Sequence, residues 1–91
     1  MNTDSNQLKD QKLEASFSML IMSLASSTMM ALGLTPDPQS NKTEVNKPMA
    51  QFNIDLLVIL KEKTKNNLTV DEQGLLDHIL QDLQMRFIQL K

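Results

Sequence analysis

Between Ala15 and Pro36 the chain carries no charged side chain. Within that run Phe17, Leu20, Ile21, Leu24, Thr28, Ala31 and Leu32 recur at helical spacing. A stripe of this period predicts a first helix over about 14–32 with that face turned to a core. Gly33 ends it, and Pro36 and Pro38 prevent it from resuming. Residues 33–47 are dense in turn formers, a connection long enough to be either disordered or functional.

Asn46 is a candidate N-cap, with Pro48 tolerated in the turn that follows, so a second helix is expected over 47–65. Its apolar set is Met49, Phe52, Leu56, Leu57, Ile59 and Leu60, with Ile54 and Val58 on the flank. Lys61, Lys63 and Lys65 gather at its C-terminal end, where the helix dipole favours positive charge. Asn66-Asn67 tolerates a left-handed turn. Thr69 with Glu72 three positions on forms a capping box for a third helix over 70–90. Leu75, Leu76, Ile79, Leu80, Leu83, Phe87 and Leu90 make its inner stripe, while Asp77, His78, Gln81, Gln84 and Gln89 face away. So short a break makes helices two and three an antiparallel hairpin. No strand pattern is present. The expected architecture is all-α with three main helices, residues 14–91 forming one helical domain after a flexible N-terminal segment, 1–13.

Composition narrows the chemistry. The 91 residues carry a net charge of −2, no cysteine, one histidine and two glycines. Disulfides, thiolate nucleophiles and sulfur-ligated zinc are excluded. A mildly acidic chain lacks the basic patch that nucleic acid requires. His78 and Asp82 share a helix face at i, i+4, but zinc wants three or four ligands, so ordinary solvated polarity explains them better. Asp55 lies in the apolar run Phe52–Leu60, yet its helical phase groups it with Gln51 and Glu62 on the exposed sector, not in a shielded site. The serines have no base beside them. Gly33 and Gly74 are isolated and cradle no phosphate; Gly74, costly in the first turns of a helix, hints at close packing there. No catalytic residue, cofactor or metal is expected, and the chain reads as a non-enzyme.

The first helix poses the sharper question. Opposite Phe17 and Leu24 it presents Met19, Met22, Met29 and Met30 among Ser18, Ser23 and Ser26. A helix without charge on either side needs cover on both, and two short partner helices supply only one. A self-association surface of Met19, Met22, Ser26, Met29 and Met30 follows, with a homo-oligomer, a dimer favoured, as the expected state. The alternative is a membrane-associated protein with helix one in lipid. Ser16, Ser18, Ser23, Ser26, Ser27 and Thr28 argue against a span, and Asp4, Asp10 and Glu14 argue against a signal peptide. A cytoplasmic location is the expectation. Asp37, Lys42 and Glu44 in the 33–47 loop, with Arg86, are candidates for contacting a further partner.

The run from Phe17 to Ser27, Leu32-Gly33, Pro36-Asp37-Pro38 and Lys42 resembles a small bacterial family, the domain of unknown function 1844 family. So do Ile54-Asp55-Leu56-Leu57, Leu60, Glu62 to Lys65, Asn67-Leu68-Thr69, Glu72, Leu75-Leu76 and Met85-Arg86-Phe87. The resemblance spans about residues 16–90, through order and spacing and not through any chemically diagnostic motif. Asn66 stands where a glycine is usual, Gln84 where an arginine is usual and Phe87 where a tyrosine is common. The family carries no established catalytic residues. Its RomX-like small helical proteins imply an adaptor or nucleotide-exchange co-factor for a Ras-like GTPase, working with a receiver-domain scaffold in bacterial polarity and motility.

Overall fold

A computed structural model describes residues 14–90. Ser16 opens the first helix: its hydroxyl accepts the Met19 N–H at 3.1 Å, and α1 runs Phe17–Ala31. The expected start at residue 14 is therefore three residues early, because the cap lies at Ser16. At the other end Gly33, with φ +76°, closes a Schellman motif. Its N–H bonds to the Met30 carbonyl and the Leu34 N–H bonds to that of Met29, both at 3.0 Å.

Asn46 caps α2 (Lys47–Lys63) by accepting the Met49 N–H at 3.1 Å, with Pro48 in the first turn. Asn66, at φ 70°, supplies the left-handed residue after it. The capping box of α3 (Val70–Ile88) is complete. Thr69 Oγ1 accepts from the Glu72 N–H at 3.1 Å, and a Glu72 carboxylate oxygen accepts from the Thr69 N–H at 2.9 Å. The last two helices end two residues before the expected limits. The expected flexible segment 1–13 lies outside the described residues.

The three helices pack pairwise, with no strand among the described residues. Ser27 on α1 meets Asn53 on α2, while Ala31 meets Asn46, so α1 and α2 run antiparallel. Lys61 pairs with Asp77 at 3.1 Å near one end of the α2–α3 hairpin, and Lys47 stands over the Phe87 ring at 5.6 Å near the other. The core is Ile21, Ala31, Leu32, Ala50, Ile54, Leu57, Leu76, Leu80 and Leu83. The inner stripe of α3 is as expected: Leu76, Leu80 and Leu83 are buried, with Leu75, Ile79, Phe87 and Leu90 packed on them.

Two expectations about phase need correcting. Leu20, assigned to the inner face of α1, is 45% exposed, because it sits about 100° round the helix from Ile21. On α2 the buried face is Ala50, Asn53, Ile54 and Leu57, while Met49, Phe52 and Ile59 are exposed. Small residues decide this. Asn53 bonds to Ser27 of α1 and Ala50 on the same side is fully buried, as is Thr28 of α1, while the larger Phe52 falls outside that face. Gly74 also departs from expectation: it is exposed, and an added Cβ would meet nothing within 4 Å.

Candidate functional site

The loop between α1 and α2 is tied at its base and folded at its tip. Leu32 and Val45 form an isolated antiparallel bridge, and the Asn46 N–H bonds to the Ala31 carbonyl at 2.7 Å. At the tip the Asp37 N–H bonds to the Lys42 carbonyl at 2.9 Å, the Asn41 N–H returns to the Asp37 carbonyl, and Asn41 takes φ 62°. An Asp37 carboxylate oxygen also accepts the Gln39 N–H at 2.8 Å, an Asx turn that fixes the side chain. Proline and asparagine turn chemistry thus converts a connection of linker length into a shaped excursion.

That shape gathers three of the four partner candidates. Asp37, Lys42 and Glu44 line one open cavity of about 240 Å³, with Ser27 and Met30 of α1 and Asn46 and Met49 at the start of α2. Two carboxylates and one ammonium leave it one net negative charge, beside an apolar wall of two methionines. Arg86, the fourth candidate, is elsewhere. Its Nε bonds to an Asp82 carboxylate oxygen at 2.9 Å within α3, and it borders a second cavity with Leu32, Leu34 and Leu90.

The methionine face divides. Met19 and Met22 are about half exposed and Ser26 is exposed. Met30 lines the loop cavity, whereas Met29 is partly buried and packs on the core. What periodicity missed is the strip of α2 where Met49, Phe52 and Ile59 stay in the open. Its signal was present as an unusually wide apolar sector, but no count of apolar positions says which part of a wide sector turns inward. Also missed was Asn53, buried at the α1–α2 crossing with its amide N–H donating to Ser27 Oγ at 3.2 Å.

His78 is exposed, Asp82 is engaged by Arg86, and no group of three or more potential metal ligands occurs among the described residues. Asp55 is exposed and accepts a hydrogen bond from Gln51 at 2.8 Å, on the sector where its phase put it. Among the described residues no helix is long and apolar enough to cross a membrane.

Fold and surface together define a small three-helix α-protein with large apolar side chains exposed on α1 and α2 and a mixed-charge loop cavity between their facing ends. The chain belongs to the Domain of unknown function (DUF1844) family, whose model matches residues 14–89, almost all of the described chain. No curated protein and no solved structure matches it. Asn66 keeps the left-handed turn, Gln84 is exposed, and Phe87 packs on the core under the Lys47 ammonium.

Proposed function

We propose that this chain is a non-enzymatic protein–protein interaction module, a homo-oligomer that also acts as an adaptor for a further protein. The observation that carries this reading is the set of large apolar side chains left in the open on α1 and α2, where Met19, Leu20, Met22, Met49, Phe52 and Ile59 are each about half exposed. Apolar surface of that extent, undivided by charge along α1, is characteristic of a docking face. Methionine suits it, since a flexible thioether adapts to its partner.

The partner class comes from the family resemblance: a Ras-like GTPase together with a receiver-domain protein. An exchange co-factor works by population shift, binding the nucleotide-free or GTP state more tightly than the GDP state. The test is release of a fluorescent GDP analogue from the purified GTPase, with and without this chain and the receiver-domain protein. Faster release, lost with Arg86→Glu, supports the adaptor reading. Unchanged release and no complex on a sizing column refute it. Co-sedimentation with lipid vesicles instead would favour the membrane-associated alternative.

A further inference from the structure

Along α2, Met49, Phe52, Leu56, Ile59 and Lys63 succeed one another at intervals of 3, 4, 3 and 4 residues. This is the heptad spacing of a helix seam that packs against another helix. Among the described residues the seam has no partner: Met49, Phe52, Ile59 and Lys63 are exposed and Leu56 is half-buried. It lies on the side of α2 next to α1, whose own outward positions Met19, Ser23, Ser26 and Met30 follow at 4, 3 and 4. The two rows converge at the loop cavity, which Met30 and Met49 both line.

The seam is charged only at its ends, and oppositely. Lys63 closes it at the C-terminus of α2, and the cavity holding Asp37 and Glu44 closes it at the N-terminus. We propose that a second copy of this chain occupies this face, with the two α2 helices antiparallel across a twofold axis at Leu56. Each Lys63 then enters the other protomer's cavity, its aliphatic stem against Met30 and Met49 and its ammonium at Asp37 and Glu44.

Three features favour this occupant and register. Leu56 lies midway between Met49 and Lys63, so antiparallel pairing about it sets each lysine opposite the other copy's Met49 and cavity. A twofold interface must be complementary to itself, and basic at one end with acidic at the other satisfies that only when antiparallel. Antiparallel helices also set the positive end of each dipole beside the negative end of its mate. Lys42 is the one like charge in the cavity, and the two carboxylates outnumber it.

The inference rests on the interaction-module reading and names its occupant and register. Sedimentation equilibrium of the full chain over a concentration series tests it. The wild-type mass should double, and Lys63→Glu or Glu44→Lys should each weaken the dimer by about tenfold or more. The double variant should recover most of the loss, because the charges are exchanged and not removed. All these positions are exposed, so helix content by circular dichroism should not change. The chain has no native cysteine, so Leu56→Cys should give a disulfide-linked dimer on oxidation and Val70→Cys should not. A dimer indifferent to both charge reversals, or one that Leu56→Cys does not cross-link, overturns this register while leaving self-association standing. A wild-type monomer throughout overturns the second copy as occupant, and the nucleotide-release assay still judges the adaptor reading separately.

Discussion

Replacing Gly33 with alanine tests how the loop is held against α1. The residue sits at φ +76°, and an added Cβ would lie 2.8 Å from Val45 Cγ2, with the Val45 nitrogen at 3.5 Å and the Glu44 carbonyl carbon at 3.6 Å behind it. A left-handed conformation costs an ordinary L-residue about 1–2 kcal/mol. Val45 cannot simply withdraw, because the Leu32–Val45 bridge and the Asn46–Ala31 hydrogen bond hold its backbone. Its β-branched side chain must rotate instead, at about 0.5–1.5 kcal/mol for an off-rotamer position. Together Gly33→Ala should lose about 2–3 kcal/mol, which in a domain of this size lowers the melting temperature by roughly 10–20 °C. Removing the obstructing methyl groups separates the two parts. Gly33→Ala combined with Val45→Ala should regain the steric portion and retain the conformational one, so the pair is non-additive. The assay is urea unfolding followed by circular dichroism on the four proteins of the cycle. A Gly33→Ala loss below about 0.5 kcal/mol would refute the left-handed, crowded turn, and strict additivity would refute the contact with Val45.

Other perturbations follow the same physics. Gly74→Ala should stabilise by about 0.5–1 kcal/mol, since it adds helix propensity at an exposed position where nothing approaches; a lower urea midpoint would contradict that. Thr69→Ala removes the side-chain half of the α3 capping box and should cost about 1 kcal/mol, with helicity lost first at that end by amide exchange. Asn53→Ala and Ser27→Ala should couple by about 0.5–1.5 kcal/mol in a double-mutant cycle, because each leaves the other without its partner at the α1–α2 crossing. Met19→Lys should preserve helix content while weakening self-association, read as mass by light scattering.

Helix limits were legible in the chain to within two or three residues, because those signals are local. Ser, Asn and Thr caps, a glycine able to take positive φ and an asparagine after α2 act within a few residues of themselves. The inner face of α3 was legible too, where one stripe of leucines stands against a polar remainder. On α2 the same reasoning had nothing to choose with, since its apolar residues cover most of the circumference. Packing made the choice: Asn53 meets Ser27 of α1, Ala50 is buried on the same side, and Phe52 is left outside. The loop cavity is likewise a tertiary product. Asp37, Lys42 and Glu44 could be named as exposed loop charges, but only the bridge from Leu32 to Val45 folds them over Met30 and Met49, while Arg86 stays with Asp82 on another face. Local chemistry writes helix limits; which faces meet depends on residues far apart in the chain fitting one another's shape.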